Sequence, residues 1–536
     1  MSVVRPISAR ALMPALEEHL KECAVRPALD SLNGCSFDVV IIGGGINGAA
    51  AVQHIVAQGH SVLLVEKGDF GSGSSSRSSR LLHCGLRYLA PGRSIWDFVL
   101  HPTRFLTALK MAKQAMEART EFVKTSSLRT RPMQFAFPIY RGGPYRGWQV
   151  DLAFLILKLI GPRNPPLDYH RISAAKVRAM PLAKELRDLD QIHSVAVYRE
   201  YEFDWPERVC IDCILDAERM GAVVRNYTMA TLGRRRDDGT WPIQIADRLD
   251  GTTAEVRASI VINLAGIWID DVNACAEPKA GRRVLGTKGA HIVVKLPDAY
   301  AGYGVATLNS KSEPFYCIPW HSLHFFGPTE TLYESDKDDI HVTDEEQAWL
   351  LREANRLMPG INLVATDVRL TWAGVRPLTY DEAVPFGNRS RQLHDLVVDG
   401  MPNVLAMTAG PVMSHRSAGR LLAAEVGRRV EAQRAPQTPN YAPKLPPVND
   451  NSPTLIAGEP TRLSDLQHAI QKEHAVSLMD LLFRRTGLGW RYQFSDEELD
   501  RAASVLATER GLSAEEKQRE IRAFRVEYTQ LFGRRD

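Results

Sequence analysis

Three glycines and one glutamate stand at a spacing that suits the binding of a dinucleotide. Gly43, Gly45 and Gly48 form a G-x-G-x-x-G pattern, and Glu66 follows roughly 20 residues later. Glycines at these positions allow a tight turn, close approach of a pyrophosphate to the backbone, and close packing of a helix on a strand. The acid accepts hydrogen bonds from ribose hydroxyls and repels a 2′-phosphate. The pattern therefore predicts a dinucleotide site and disfavours NADP.

The elements that must hold these residues are a strand, a helix and a second strand. The segment from Phe37 to Ile42 is a short β-branched run, and a helix is predicted from about Asn47 to Gln58. The apolar run HSVLLVEK then ends in the glutamate. The first helical turn, with Ile46 and Asn47, offers free N–H groups and a positive partial charge to phosphates. This unit alone is compatible with either NAD or FAD as the cofactor.

Two later segments favour the larger cofactor. ASIVINLAGIWIDDV, from Ala258, is a buried-strand pattern that ends in Ala265 and Gly266 before a helix. The stretch from Met401 repeats the arrangement, with its cofactor candidates after the strand: Gly410, Met413 and Ser414. Each segment alone is compatible with ordinary strand–loop–helix packing. A ligand contacted from three separate parts of the chain suits FAD better than NAD.

Composition excludes several classes of protein. The 536 residues predict two or three domains, and 66 basic against 63 acidic residues give no field that argues for nucleic acid. Seven scattered cysteines do not form a secreted disulfide framework, which predicts a reducing, cytoplasmic location. The C-x-x-C pair Cys210 and Cys213 lacks a partner pair, so we expect a structural role and no metal site.

Two further segments bear on location. Residues 1–35 lack a secretory signal and are predicted to form a helical extension. DLAFLILKLIG, from Asp151, is too short to span a bilayer, and a buried core helix is the favoured interpretation. A helix lying on a membrane surface is the alternative, which would place the protein peripherally on the cytoplasmic face of the inner membrane.

Four segments in a fixed order resemble the FAD-dependent glycerol-3-phosphate dehydrogenase family, within the D-amino-acid-oxidase-like superfamily. They are VVIIGGGINGAAAV, SSSRSSRLLHCGLRYL, WAGVRPL and SLMDLLFRRTGLGW. The resemblance implies an α/β fold: a Rossmann-like FAD-binding domain from about 36–125, 200–288 and 370–435, an inserted antiparallel-sheet substrate domain from about 126–199 and 289–369, and a C-terminal all-helical cap over 449–536.

The resemblance also implies roles for individual residues. The serine-rich run is expected to wrap the FAD pyrophosphate through Ser74, Ser75, Ser79, Arg80 and Leu81. It brings His83 to the reacting face, where a neutral imidazole has a suitable pKa to accept a hydroxyl proton. The alternative is that His83 only hydrogen-bonds beside the flavin while an arginine-activated hydroxyl loses its proton to water.

Arginines are the expected ligands of an anionic substrate, because the guanidinium fork suits phosphate oxygens. Arg87 and Arg376 match substrate-binding positions of the family, with Tyr88 beside the first and Arg376 also assigned to catalysis. Either Arg389 or Arg391 matches a further phosphate-binding arginine. The same arginines could instead hold the carboxylate of an amino acid.

The chain departs from the family where substrate is expected. A Gly-Gly-Lys-Leu-Thr-Thr-Tyr-Arg-like segment is here AGPVMSHR, so Pro411 replaces the lysine and His415 the tyrosine, while Arg416 is kept. A Gly-Thr-Thr-Asp-like turn is altered to GPTET. We therefore predict oxidation of the secondary alcohol of glycerol 3-phosphate or a related polyol phosphate, with His415 as a substrate ligand. Oxidation of an amino acid, amine or hydroxy acid, and a flavoprotein without turnover, are the alternatives.

The partners follow from the same resemblance. We expect a phosphorylated polyol as substrate and a quinone or other electron acceptor, and the sequence does not choose the acceptor. Peripheral membrane contact and a homodimer are further hypotheses. A nucleic-acid partner is not expected.

Overall fold

The structure is a computed structural model, which describes residues 26–89, 101–449 and 451–533. Its strands form two large sheets. The strands are β1 (Ser36–Ile42), β2 (Val62–Val65), β3 (Leu81–Leu82), β4 (Thr130–Tyr140), β5 (His170–Ser173), β6 (Ile192–Phe203), β7 (Val223–Arg225), β8 (Thr228–Leu232), β9 (Trp241–Asp247), β10 (Thr253–Asn263), β11 (Val284–Val294), β12 (Tyr303–Leu308), β13 (Pro314–Trp320), β14 (Leu323–Gly327), β15 (Thr331–Leu332), β16 (Val368–Thr379), β17 (Gln392–Asp395) and β18 (Val404–Thr408).

The α-helices cover the sheets and form the C-terminal region. They are α1 (Ile46–Ala57), α2 (Leu86–Leu89), α3 (Pro102–Thr125), α4 (Gly147–Ile160), α5 (Ala174–Val177), α6 (Pro206–Arg219), α7 (Ile269–Ala276), α8 (Asp344–Leu357), α9 (His415–Gly427), α10 (Leu463–Lys472), α11 (Asp496–Arg510) and α12 (Ala514–Phe532).

The first sheet is the nucleotide-binding sheet. Its central path runs β17-β18-β10-β1-β2-β7, and β18, β10, β1, β2 and β7 are mutually parallel. Helices α1, α6 and α9 cover one face, where small residues of α1 let the helices approach each other and the strands closely. The second face packs under β9 and the turn Leu29–Leu32. This is the Rossmann-like parallel sheet that the resemblance implies.

The second sheet is larger and mostly antiparallel. It contains β3, β4, β5, β6, β11, β12, β13, β14, β15 and β16, with only the β4 and β12 pair parallel. The long strand β16 pairs with β11 over eleven positions and so belongs to this sheet. The observed α/β fold with an antiparallel sheet and a helical C-terminus confirms the predicted fold class. The residue ranges of the domains stay a prediction.

The C-terminal helices begin where serine caps predict. Ser495 accepts from the Glu498 amide and Ser513 from the Glu516 amide, and each glutamate reaches back to its cap, which satisfies free N–H groups at the helix start. Trp490 from this region packs against the second sheet. Most of the predicted helical extension, residues 1–25, lies outside the described residues.

The helix predicted from DLAFLILKLIG is α4, and it is only half buried. Its inner face packs into the core through Val150, Ala153, Phe154 and Leu157. Its outer face leaves four large apolar side chains exposed, namely Trp148, Leu152, Leu155 and Leu159. The interpretation as a buried core helix is therefore right for one face only. No helix of the described ranges is long and apolar enough to cross a membrane.

The C-x-x-C pair lies in a helix. Cys210 and Cys213 are both buried in α6, within the core that joins this helix to α1. Burial raises the pKa of the Cys213 thiol to about 12, so this sulfur stays protonated. Among the described residues no group of histidine, cysteine and acidic side chains could hold a metal ion.

Candidate active site

The predicted cofactor residues meet at one edge of the nucleotide-binding sheet. Because β18, β10, β1 and β2 are parallel neighbours, their carboxyl ends lie side by side. Each strand is followed by one of the predicted contacts: Gly410 after β18, Ala265 and Gly266 after β10, Gly43 after β1, and Glu66 after β2. A crevice at such an edge is where parallel α/β sheets bind nucleotides.

Two glycines at this edge leave no room for a side chain. A Cβ on Gly48 would lie 1.8 Å from the carbonyl oxygen of Gly43, so helix α1 packs directly on the turn. A Cβ on Gly43 would lie 2.5 Å from the carbonyl oxygen of Leu264, and its φ of +111° is in the region that favours glycine. At Gly45, the N-cap of α1, a Cβ would be 3.2 Å from Oγ of Ser75. Close backbone approach, as a pyrophosphate requires, is thus built into the turn.

Glu66 is held by backbone amides. One carboxylate oxygen accepts the Gly44 N–H at 2.7 Å and the other accepts the Gly68 N–H at 2.8 Å. Burial raises the pKa of Glu66, and the two amide hydrogen bonds oppose that rise. A carboxylate oxygen has more than one acceptor site, so hydrogen bonds from ribose hydroxyls remain available. These residues fit the ribose end of FAD.

The serine-rich run joins the two sheets. Ser75 accepts the Ile46 N–H at 2.9 Å, Ser74 donates to the Val375 carbonyl at 2.6 Å, and Ser79 is 3.0 Å from Nε2 of His291. Leu81 then enters β3 of the second sheet. Cofactor contacts by these side chains, and by Asn47, Met413 and Ser414 at the starts of α1 and α9, stay predictions.

Arg80 is placed differently from its prediction. Its side chain is fully buried and lies 4.4 Å from the ring centroid of Trp320 and 4.5 Å from that of Trp490, with Trp372 at 5.5 Å. It also donates to the Ser76 and Asp204 carbonyl oxygens. The guanidinium is therefore enclosed by tryptophans, and only the Arg80 backbone remains a candidate cofactor contact.

A cavity adjoins the end of this run. Its polar wall contains His83, Arg87, Glu200 and Tyr316. Its remaining wall is mainly apolar and aromatic, from Leu81, Leu86, Phe135, Phe137, Tyr145, Tyr198, Ala306, Thr307, Leu308 and Pro314. A concave site with a few convergent polar groups is the expected form of a small-molecule site.

His83 is an uncharged group in this cavity. Burial, reinforced by the nearby Arg87 cation, lowers the pKa of His83 to about 3. Its ring packs edge-on against Tyr88 at 5.5 Å between centroids, and its Nδ1 has no hydrogen-bond partner within the described protein. The imidazole is thus free to hydrogen-bond a substrate, but it holds a proton weakly.

Three arginines converge beside the cavity. Arg87 lines the cavity, and burial together with the charges of Arg389 and Arg87 lowers the pKa of Arg376 to about 10. Nη1 of Arg376 is buried without a hydrogen-bond partner. Gly289 makes room for this group, because a Cβ there would lie 2.4 Å from Nη2 of Arg376. Within the described ranges, Arg389 is the one of the three that pairs with a carboxylate, Glu330.

The other two basic candidates lie elsewhere. Arg391 donates to the Ser414 carbonyl and to Ser417, and it does not line the cavity. His415 is fully buried, with its ring on Phe122 and Nδ1 at 2.9 Å from the Val412 carbonyl. The prediction of His415 as a substrate ligand is therefore not supported: the turn before α9 directs this ring into the protein interior. Of the two arginine alternatives, the geometry favours Arg389.

Sequence reasoning missed three polar groups. Glu200 lines the cavity, Glu330 pairs with Arg389, and His291 stacks on Trp372 at 5.1 Å and contacts Ser79. Glu200 and His291 lie in strands whose patterns predict only pairing. Glu330 lies within the altered GPTET turn, and that alteration was the one signal in the sequence that could have drawn attention to it.

Comparison with known proteins gives the family. The model of the FAD dependent oxidoreductase family matches residues 38–425. A glycerol-3-phosphate dehydrogenase of Synechocystis is 29% identical over 432 residues, covering 77% of this chain and 74% of that protein. An aerobic glycerol-3-phosphate dehydrogenase of Staphylococcus aureus is 26% identical over 454 residues, covering 84% of this chain and 74% of its own.

Solved structures share the fold. A glycerol-3-phosphate dehydrogenase from Bacillus halodurans, complexed with FAD, has a TM-score of 0.70 at 20% identity and covers 94% of this chain and 96% of its own. A glycine oxidase from Geobacillus kaustophilus has a TM-score of 0.52 at 20% identity, over 74% of this chain and 96% of its own. The predicted cofactor, FAD, and the predicted resemblance are confirmed. The chain belongs to the FAD-dependent oxidoreductase family.

Proposed function

We propose that the protein oxidises the secondary alcohol of glycerol 3-phosphate, or of a related polyol phosphate, to the ketone. The observation that carries this proposal is the convergence of Arg87, Arg376 and Arg389 beside the cavity that holds His83. Among the described residues, these three guanidiniums face two carboxyl groups, Glu330 and Glu200, which leaves a net positive charge that suits a phosphate.

Each group of residues in the site has a separate role in the proposed reaction. FAD, when bound at the sheet edge, supplies the hydride acceptor. The arginines hold the phosphate and so fix the position of the neighbouring carbinol carbon. The neutral His83 ring donates a hydrogen bond to the oxygen of the reacting hydroxyl, which orients that group and leaves its proton to be transferred. The apolar wall excludes water from the same space.

Amino-acid oxidation is the competing enzymatic function, because amino-acid oxidases share the fold. A carboxylate of single charge needs one guanidinium, whereas the site gathers three. The number of cations therefore favours the phosphate. A flavoprotein without turnover is the remaining alternative.

Anaerobic bleaching of the flavin absorbance separates these functions. The test panel is glycerol 3-phosphate, four- and five-carbon polyol phosphates, the free polyols, and amino acids. We expect bleaching by a polyol phosphate and not by the matching free polyol. Bleaching by amino acids alone would refute the proposal, and bleaching by none of the panel would favour the non-catalytic alternative.

The choice between glycerol 3-phosphate and a longer polyol phosphate depends on the divergent segment Ala409–Arg416. Pro411 offers no charge, and Arg416 donates to Thr125 and Ser126 on the side of α3. We therefore propose a preference for a polyol phosphate other than glycerol 3-phosphate. Steady-state kinetics decide: a kcat/KM for glycerol 3-phosphate of ~10⁴ M⁻¹s⁻¹ or more, and above the longer compounds, would refute that preference.

We propose that a quinone is the electron acceptor and that the protein reaches it by binding to the surface of an anionic membrane. The support is α4, whose outer face carries Trp148, Leu152, Leu155 and Leu159, flanked by the exposed cations Arg146, Lys158 and Arg163. An apolar face bordered by basic residues and a tryptophan is typical of helices that lie in a membrane interface. A peripheral location follows from this proposal, and the reducing compartment expected from the cysteines places it on the cytoplasmic face.

Vesicle binding tests the membrane contact. We expect the holoenzyme to sediment with vesicles containing anionic lipid and less with neutral vesicles. The double variant Leu155→Glu and Leu159→Glu should weaken binding by roughly 100-fold or more, because each buried leucine contributes about 1.5–3 kcal/mol and about 1.4 kcal/mol corresponds to a factor of ten. Val526→Glu, an equally exposed apolar position in α12, is the control. Equal binding by both variants would refute the assignment of α4. The homodimer stays a prediction, which analytical ultracentrifugation would test.

A further inference from the structure

Glu200 is a buried carboxyl group in the wall of the cavity. It lies in β6, with its side chain among the residues that surround His83, Arg87 and Tyr316. Only 2% of its surface is exposed. Its two oxygens both accept the backbone N–H of Cys84, at 3.0 and 2.9 Å. Glu200 is therefore held against the peptide that directly follows His83.

The charge of Glu200 is only partly compensated. The nearest cation is Arg119 of α3, whose Nε is 4.0 Å from a Glu200 oxygen, at the limit of an ion pair. The Arg119 terminal nitrogens donate instead to the carbonyl oxygens of Pro165, Pro166 and Arg199. A buried carboxylate with so few donors gains by taking up a proton.

The surroundings set the proton affinity of Glu200. Burial raises the pKa of Glu200 to about 7, against the opposing effects of Arg119 and the Cys84 amide. The neighbouring Cys84 thiol and the Tyr198 hydroxyl have pKa values raised by their own burial, so both stay protonated. A base whose pKa is near the working pH is the most effective in proton transfer.

The other groups in the cavity are less suited to this task. The pKa of His83 is lowered to about 3, so the imidazole is a weak base. Burial raises the pKa of Tyr316, although Arg87 opposes the rise. Among the described residues that line the cavity, Glu200 is therefore the group that exchanges a proton near neutral pH.

We propose that Glu200 is the proton acceptor of the reaction, sharing the cavity with the neutral His83 and with Arg87. As the hydride leaves the carbinol carbon for FAD with two electrons, the O–H bond breaks and its electron pair completes the carbonyl. The proton passes to a carboxylate oxygen of Glu200 and is later released to solvent. This inference rests on the proposed oxidation of an alcohol.

The inference is tested by following reduction of the flavin anaerobically, by stopped flow, across a range of pH. A base must be ionised to act, so the wild-type reduction rate should rise with pH through about 7 and then level off. Glu200→Gln should reduce the rate by roughly 10²- to 10⁴-fold and abolish this rise. Glu202 is a buried carboxyl group two residues along β6 that does not line the cavity, so the Glu202→Gln variant should keep the rise of the rate with pH.

A second measurement follows the carboxyl group itself. Infrared difference spectra of the oxidised holoenzyme should contain a protonated carboxyl band that titrates near pH 7 in the wild type and in Glu202→Gln, and is lost in Glu200→Gln. Glu200→Asp retains a carboxyl group and should keep a rising pH limb at a lower rate. If Glu200→Gln fails to fold, the absence of a titrating band from the wild type would overturn the inference.

The possible results distinguish failure of the role of Glu200 from failure of the proposed polyol phosphate oxidation. A wild-type flavin that no polyol phosphate reduces would refute the proposed function and this inference with it. A wild type that is reduced, while Glu200→Gln keeps both its rate and its pH limb, would overturn the role of Glu200 alone.

Discussion

Asp69 joins the cofactor loop to the C-terminal helices, and its removal should be costly. Its carboxylate is fully buried and accepts from Arg484 at 2.6 Å, from Arg485 at 2.7 and 2.9 Å, and from Asn226 at 2.9 Å. Asp69 lies three residues after Glu66. The same carboxylate therefore fixes the loop that is predicted to hold the FAD ribose and the region that carries Trp490.

The variant Asp69→Asn keeps the shape of the side chain and removes its charge. Breaking a buried ion pair by removing one partner costs about 3–5 kcal/mol, because the other charge stays buried. Asp480 still accepts from Arg484, and the Glu473 carbonyl from Arg485, so we expect a value near the lower end, about 3 kcal/mol.

Urea unfolding of the holoenzyme measures this loss, with flavin fluorescence reporting cofactor release. The control is Asp338→Asn, which removes an ion pair to Lys67 at 2.6 Å in the same neighbourhood. Asp338 is 70% exposed, so that variant should lose less than about 1 kcal/mol. Equal losses for the two variants would refute the importance assigned to the buried network.

The pH dependence supplies a second check on Asp69. Burial would raise the pKa of Asp69, but Arg485 and Arg484 outweigh it and hold the pKa below its ordinary value. A depressed pKa in the folded state gives stability that is present at neutral pH and lost as the pH falls below about 4. The difference between wild type and Asp69→Asn should therefore shrink on acidification.

Four further predictions concern other residues. Gly48→Ala should abolish FAD retention, measured as flavin absorbance per protein, because its Cβ would lie 1.8 Å from the Gly43 carbonyl oxygen. Arg376→Ala should lower kcat/KM for a phosphorylated substrate by roughly 30- to 150-fold, since a charge-assisted contact contributes about 2–3 kcal/mol. Gly289→Ala should also lower kcat/KM, because its Cβ would displace the Arg376 guanidinium. An equal loss of kcat/KM for a substrate without phosphate would contradict both predictions. The raised pKa of Glu200 makes the wild type lose stability as the pH rises toward 7, and Glu200→Gln lacks this loss. The free energy of unfolding of Glu200→Gln, relative to that of the wild type, should therefore increase by roughly 3 kcal/mol between pH 4 and pH 8, as measured by urea unfolding.

The sequence predicts those parts of the site that depend on short-range geometry. The glycine turn and the serine caps are set by residues a few positions apart, and they pack as expected. Glu66 follows β2 at the cofactor edge, where the spacing puts it, and its contact with ribose stays a prediction. The order of parallel strands then follows from the strand–helix–strand pattern. The carboxyl ends that meet at the cofactor edge were predictable for this reason.

The polar groups of the cavity depend on contacts between distant segments. Glu200 becomes a cavity group only because β4, β12, β13 and α2 pack around it. The assignment of His415 to the substrate is not supported, because the short turn Val412–Ser414 begins α9 with this ring buried against Phe122. Arg80 could not be placed because its three tryptophan neighbours come from β13, β16 and the C-terminal region.

The enclosure of Arg80 gives the protein an internal optical reporter. Three of the nine tryptophans lie around this one guanidinium, and each comes from a different segment of the chain. Separation of the C-terminal region would remove Trp490 from the cluster and admit water to Trp320 and Trp372. Intrinsic emission therefore follows the joining of these segments, whereas far-ultraviolet circular dichroism follows the helices within each of them.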